Sequence, residues 1–194
     1  MIKKFKNNYL KQLFNSLNML DETEFEKACI EIEKKIKAKK TIFVCGNGGS
    51  LSIANHLVCD FSKTIKEETQ LNPKVISLVA FNELISAISN DKDFSEALVY
   101  QASSLVSKED LVILISSSGN SPNMKKLIDY CKKNKFKTIT ITGFRGGYIK
   151  DNADIKLHVN TKNYGIAEDC AQVVMHMITQ FIAIKNSNVK NKKN

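Results

Sequence analysis

The sequence predicts an α/β fold, a three-layer sandwich in which helices flank a five-stranded parallel sheet, with two further helices at the N-terminus. Two observations carry this prediction. Short apolar, β-branched runs recur along the chain, and segments with helical periodicity separate them. Continuous apolar strands that alternate with helices are typical of a parallel sheet covered on both faces. The length of 194 residues fits one domain with a real core.

The predicted strands are the five apolar runs, which span residues 41–45, 74–79, 111–115, 138–142 and 155–159. In open α/β sheets, ligands bind beyond the carboxyl ends of the strands. We therefore expect the loops after the first and third strands to carry the chemistry.

Residues 1–40 predict a helical N-terminal arm. The first helix carries an apolar stripe, and the second has acidic residues in its first turn and lysines at its end. The stripe consists of Tyr9, Leu13, Leu17 and Leu20. Two amphipathic helices offer more surface than a small sheet needs, so we expect this arm to pack against a partner subunit.

Composition bounds the class of protein. Hydrophobic residues make up 43% of the chain and charged residues 25%, close to the average of globular proteins. No apolar run approaches the roughly 20 residues that span a bilayer, and polar residues interrupt any signal-peptide pattern. We expect a cytoplasmic protein with one domain, residues 1–184, and a disordered Lys/Asn-rich tail, residues 185–194.

Charge and cysteine usage exclude some functions. The formal net charge is +9, but Arg145 is the only arginine. Because arginine dominates direct base readout, we expect no sequence-specific binding of nucleic acid. Solvated lysines that attract anionic substrates explain the charge better. The five cysteines form no CxxC pair, which favours reduced, buried thiols.

The loop after the first strand is rich in glycine and spans residues 45–50. Glycines let the backbone approach a ligand, and a helix that begins at Ser50 would direct its free N–H groups at the loop. The loop is neither a P-loop nor a GxGxxG motif. It suits an anion or a sugar hydroxyl, although a tight turn with a serine N-cap would look the same.

The loop after the third strand, residues 116–123, carries four serines around one glycine. Pro122 can take the first helical position, with Ser121 as the N-cap. Hydroxyls and helix N–H groups bind a phosphate without fixed positive charge. A cap alone needs fewer polar residues, so the pattern favours phosphate.

These two loops, with Asn90-Asp91 between them, resemble the sugar isomerase (SIS) family of phosphosugar-binding domains, and within it the phosphoheptose isomerases. The resemblance covers nearly the whole chain. It implies a flavodoxin-like fold of nucleotide-binding type and conversion of sedoheptulose 7-phosphate to D-glycero-D-manno-heptose 7-phosphate. It further implies a homotetramer with sites between subunits and one zinc ion per subunit, with no membrane partner.

The resemblance also implies roles for individual residues. Asp60 and His176 would be catalytic, as base and as acid/base partner. The implied substrate contacts are Asn47, Gly48, Gly49, Ser50, Asp60, Asn90, Asp91 and Glu168 for the sugar, and Ser116, Ser117, Ser118 and Ser121 for the phosphate. The implied metal ligands are His56, Asp60, Glu168 and His176. Asp60 stands where the family has a glutamate, and Glu168 where it has a glutamine.

Helical spacing agrees with this metal set. His56 and Asp60 are four residues apart and project from one helix face. Glu168 and His176 are eight apart, about two turns, so we expect them to share a face. Two imidazoles and two carboxylates suit a tetrahedral zinc site. A histidine and an acid on one face are common in any sequence, so the prediction depends on the two loops.

The function predicted from the resemblance is heptose synthesis for a bacterial surface glycan, either lipopolysaccharide or capsule. Two alternatives stay open. The protein could isomerise a different phosphosugar, or it could be a non-catalytic phosphosugar-binding tetramer that binds a protein partner.

Overall fold

The structure is a computed structural model that describes residues 1–187. The chain begins with two helices and then alternates strands with helices. The elements are α1 (Ile2–Asn18), α2 (Glu22–Lys37), β1 (Thr41–Gly46), α3 (Gly49–Asp60), α4 (Lys66–Glu68), β2 (Lys74–Ser77), α5 (Asn82–Asp91), α6 (Ala97–Leu105), β3 (Leu111–Ser116), α7 (Pro122–Lys133), β4 (Lys137–Thr142), α8 (Gly147–Asn152), β5 (Ile155–His158) and α9 (Tyr164–Asn186). A π-helical turn, Phe61–Ile65, joins α3 to α4, and a 3-10 turn, Phe94–Glu96, precedes α6.

All five predicted strands form, each within two residues of its expected bounds. They make one parallel sheet in the order β2-β1-β3-β4-β5. This confirms the predicted fold class. The chain runs outward in opposite directions from the β1–β3 pair, and the loops after these two strands lie side by side at the carboxyl edge of the sheet. Such a switch point is where α/β sheets bind ligands.

Side chains along β3 alternate between two cores. Ile113 and Ile115 face a cluster with α2, α3 and α9, whereas Val112 and Leu114 face a cluster with α6, α7 and α8. All four are at most 1% exposed, so both faces of the sheet are covered, as parallel sheets require. The stripe on α1 packs Tyr9, Leu13 and Leu17 beside α9.

Two polar contacts pin the N-terminal helices to α9. Glu33 of α2, only 5% exposed, accepts a hydrogen bond of 2.7 Å from Lys185 and another from Lys37. Tyr9 of α1 donates a hydrogen bond of 2.6 Å to Asp169. That bond holds the phenol proton and raises the pKa of Tyr9 to about 12.

The predicted start of the disordered tail is too early. Helix α9 continues through Asn186, because Lys185 is fixed to Glu33 and Asn186 donates to the carbonyl of Ile182. Ser187 then pairs with Thr69. The rest of the predicted tail, residues 188–194, lies outside the described residues.

Within residues 1–187, no helix is both long enough and apolar enough to cross a membrane. Four of the five cysteines are buried, as expected, but Cys59 is exposed on α3. Burial raises the pKa of Cys29, Cys45, Cys131 and Cys170.

Candidate active site

The serine loop, residues 116–123, folds against the backbone that follows β4, where the Gly143 amide donates to the Ser117 carbonyl. The amide of Gly119 donates to Oγ of Ser116 over 3.1 Å, and that of Asn120 donates to Oγ of Ser118 over 3.3 Å. Each hydroxyl keeps its own proton to donate onward. Ser121 is the N-cap of α7, with Pro122 at the first helical positions as predicted, yet its side chain makes no capping hydrogen bond. The loop therefore offers hydroxyl and helix N–H donors to an anion.

Two asparagine side chains, each hydrogen-bonded to the other, join the glycine loop, residues 45–50, to α7. Asn47 donates to Oδ1 of Asn123 over 2.9 Å, and Asn123 donates back to Oδ1 of Asn47 over 2.8 Å. Asn123 is 1% exposed. The pair holds the two predicted loops next to each other. Sequence reasoning missed this role of Asn123, since nothing in local spacing shows which side chain meets Asn47.

The glycine loop enters α3 through Gly48, whose φ of 53° is in the left-handed region that favours glycine. Ser50 is buried in the first turn of α3. A side chain at Gly49 would collide with the carboxylate of Glu168 at the start of α9. Glu168 thus lies over the N-terminal turn of α3, where the helix dipole favours a negative charge.

Asp60 brings the two predicted histidines together. Its Oδ1 lies 3.3 Å from Nε2 of His56, and its Oδ2 lies 3.4 Å from Nε2 of His176. The two Nε2 atoms are 3.2 Å apart. His56 and Asp60 are one turn apart on α3, directly before the π-helical turn, and His176 comes from α9. Such turns occur often at functional sites.

This cluster fits a metal ion. Ligand atoms about 2.1 Å from a tetrahedral zinc ion are about 3.4 Å from one another. The two Nε2 atoms are near this distance from each other, and each is near it from one oxygen of Asp60. With one ligand atom taken from each residue, the three atoms lie within 4.8 Å of one another. Asp60 is the most buried, with 18% of its side chain exposed, and the histidines are 49% and 43% exposed. One side of the cluster is therefore open.

Glu168 does not join the metal cluster formed by His56, Asp60 and His176. Eight residues of α-helix rise about 12 Å and turn about 80° away from the starting direction. In this structure the two side chains therefore do not converge on one small site, and the metal contact of Glu168 stays a prediction. The carboxylate lies at Gly49 instead, beside the glycine loop.

Gln172 occupies the position beside the cluster and was missed in the sequence. Its side-chain amide lies 2.9 Å from Nε2 of His176. Gln172 is four residues before His176, so the i, i+4 spacing could have identified it. An amide can present either its nitrogen or its oxygen, so it can support an imidazole or a cation.

Asn90 and Asp91 lie at the C-terminal end of α5. The Asn90 amide donates to Asp91 over 3.0 Å, and both residues are exposed. Among the described residues, neither forms a hydrogen bond with the serine loop, the glycine loop or the histidines. Their predicted contact with the sugar stays a prediction.

A comparison with family models matches residues 7–143 to the SIS domain. The chain belongs to the SIS domain family. Two similar proteins are phosphoheptose isomerases. The one from Campylobacter concisus is 29% identical, covering 94% of this chain and 95% of its own length. The one from Helicobacter pylori strain P12 is 31% identical, covering 88% of each.

A solved structure agrees with this SIS assignment at the level of the fold. It is a phosphoheptose isomerase from Francisella tularensis, with a TM-score of 0.82 and 22% sequence identity. The match covers 93% of this chain and 95% of that one.

Proposed function

We propose that this SIS protein is a phosphoheptose isomerase that converts sedoheptulose 7-phosphate to D-glycero-D-manno-heptose 7-phosphate. The observation that carries the proposal is the Asp60 carboxylate, held 3.3–3.4 Å from two imidazoles. It lies on the helix that begins at the glycine loop, which the Asn47–Asn123 pair ties to the serine loop. The names of the relatives support the same activity.

The proposed reaction moves a proton between C1 and C2 of the sugar. A base removes the proton from one carbon, and an acid protonates the neighbouring oxygen as the enediol forms and collapses. Asp60 is the proposed base and His176 the acid/base partner, because Asp60 on α3 faces His176 on α9 at 3.4 Å. The hydroxyls of Ser116, Ser118 and Ser121 would hold the phosphate.

A zinc ion fits the same cluster. His56, Asp60 and His176 would hold it, with the amide of Gln172 at its side. A bound ion would supply polarisation of the sugar carbonyl. Glu168, at the glycine loop, would contact the sugar hydroxyls instead of the metal.

The assembly and cellular role belong to the same proposal. We propose a cytoplasmic homotetramer with one zinc ion per subunit, in which sites form between subunits. Its product would enter heptose synthesis for lipopolysaccharide or capsule.

Asp60→Asn tests the proposed base. The amide is nearly isosteric but cannot accept the proton, so turnover of sedoheptulose 7-phosphate should fall by at least about 100-fold while the circular dichroism spectrum is unchanged. Asp60→Glu, the residue that the family has here, should keep measurable activity. Asp151→Asn, an exposed control on α8, should match the parent protein. Full activity of Asp60→Asn would exclude Asp60 as the base.

A panel of ketose phosphates, assayed with and without zinc, separates the alternatives. Turnover of only a pentose or hexose phosphate would indicate a different isomerase. Tight binding of sugar phosphate without any turnover would indicate a binding protein.

A further inference from the structure

A cavity opens at the same edge of the sheet, on the β4–β5 side of the serine loop. Its volume is about 640 Å³, and three loops enclose it. The lining residues are Ser118, Asn120, Phe144, Arg145, Asn160 and Lys162. None of these is acidic. Two are cations, and three others carry hydroxyl or amide groups.

The two cations are unpaired. Arg145 and Lys162 are both exposed, and neither makes an ion pair or a side-chain hydrogen bond with any other residue in the range 1–187. Most other contacts between a lysine and a carboxylate in this chain are within one helix or between neighbouring elements. Both residues line the cavity. Because no carboxylate of the described residues pairs with them, their positive charge is available to a ligand there.

The backbone at the cavity wall is strained. Phe144 has a φ of 47°, a left-handed conformation that is rare for a bulky residue. Its ring lies 4.6 Å from the ring of Tyr164, so packing on α9 holds this conformation. Strain of this kind persists where surrounding structure over-determines it, and it clusters at ligand sites. Here it fixes the backbone immediately before Arg145.

The cavity is continuous with the serine loop. Ser118 belongs to both. The side chain of Asn120 is held in place by two hydrogen bonds: it accepts one of 3.1 Å from the Tyr148 amide and donates one of 3.2 Å to the Ser118 carbonyl. The loop itself offers hydroxyls and N–H groups but no full positive charge. Charge-assisted hydrogen bonds to phosphate are roughly twice as strong as neutral ones.

We infer that this cavity is an anion-binding site in which Arg145 and Lys162 supply the positive charge for the phosphate of a phosphate monoester held at the serine loop. Arg145 offers a planar fork of donors that matches phosphate oxygens, and Lys162 offers a compact charge. The inference deepens the phosphate-binding part of the proposed function, but it does not depend on which sugar is bound or on whether isomerisation occurs.

The test is the affinity for inorganic phosphate, measured by calorimetry on the full chain. The double variant Arg145→Gln/Lys162→Gln should bind phosphate at least about fivefold more weakly than the parent protein. The matched control is Lys108→Gln/Lys133→Gln, which removes the same net charge from exposed positions outside the cavity. It should bind within twofold of the parent. Thermal melts verify that each variant is folded.

Three results would overturn the inference. These are phosphate binding that survives in Arg145→Gln/Lys162→Gln, an equal loss in the control, and a parent protein that binds no phosphate. Turnover of sedoheptulose 7-phosphate is assayed in parallel. If the parent protein lacks turnover but its phosphate binding needs the two cations, the proposed isomerase activity is contradicted and the anion site is supported. If the parent protein has turnover and the double variant has the same KM as the parent, only the anion-site inference is contradicted.

Discussion

At the scale of single residues, position along one helix decides which side chain reaches the metal cluster. Glu168 and Gln172 are both on α9, before His176, but only Gln172 is a single turn from it. Its amide is 2.9 Å from the imidazole, whereas Glu168 lies against Gly49. A neutral amide therefore takes the place beside the cluster, and the extra negative charge stands at the glycine loop.

The first prediction compares these two side chains. Gln172→Leu should weaken zinc binding by about tenfold or more, because groups that orient a metal-binding histidine typically contribute that much. Glu168→Gln should leave the affinity within twofold. Competition with a chelating dye measures both, and the absorption spectrum of the cobalt-substituted protein reports a changed ligand field independently of activity. Equal effects of the two substitutions would contradict the assignment.

Some of these residue roles could be predicted from the sequence and others could not. Ser121 as the N-cap and Pro122 at the first helical positions follow from local chemistry, and the structure has both. The closeness of His56 and Asp60 follows from i, i+4 spacing. The Asn47–Asn123 pair spans 76 residues, and its formation depends on which strands are neighbours, which no local pattern contains.

At the scale of secondary-structure elements, a single carboxylate joins α2 to α9. Burial alone would raise the pKa of Glu33, but hydrogen bonds from Lys185, Lys37 and Asn186 outweigh it and lower the pKa from 4.5 to about 2. The folded state therefore holds the proton less tightly than the unfolded state. This contribution to stability is complete above about pH 4.5 and is lost as the pH falls toward 2.

The second prediction follows from the lowered pKa of Glu33. Glu33→Gln should reduce the free energy of unfolding by about 1–3 kcal/mol at pH 7, and the difference from the parent protein should shrink as the pH is lowered through 4.5. Urea unfolding at several pH values measures it. Glu26→Gln, an exposed change on the same helix, should have little effect at any pH. A difference that is as large at pH 2 as at pH 7 would argue against the linkage.

The strands and helices themselves were largely predictable, because apolar runs and helical periods are local signals. The end of α9 was not. A run of lysine and asparagine is typical of disorder, yet Lys185 is held by Glu33, 152 residues away along the chain. A tertiary ion pair thus extends the helix beyond the point where composition predicts its end.

At the scale of the whole molecule, apolar side chains remain on the outer face of the N-terminal arm. The stripe of Tyr9 and Leu13 packs against α9 of the same chain, so it is not the surface that would meet a partner subunit. On a neighbouring face of α1, about 100° around the helix from the stripe, Leu10 is 52% exposed and Phe14 is 65% exposed. They are four residues apart and share one face. An exposed apolar face of this kind indicates an interface.

The third prediction concerns the proposed homotetramer. Leu10→Glu/Phe14→Glu should shift the protein toward smaller species, because charges would be buried without partners in the interface. Light scattering coupled to size-exclusion chromatography measures the mass. Asn8→Glu/Asn15→Glu adds the same charge on another face of α1 and should keep the parental mass. A smaller species that retains full turnover would show that the catalytic site is complete within one subunit.

The single exposed cysteine has a practical consequence. Burial raises the pKa of the other four thiols, and a protonated thiol is a poor nucleophile. A maleimide reagent applied to the native protein should therefore label Cys59 alone, one position before Asp60. A fluorophore attached there would be an optical reporter beside the histidines, obtained without engineering. Its emission would let zinc and sugar phosphates be titrated in real time, even in variants that have lost turnover.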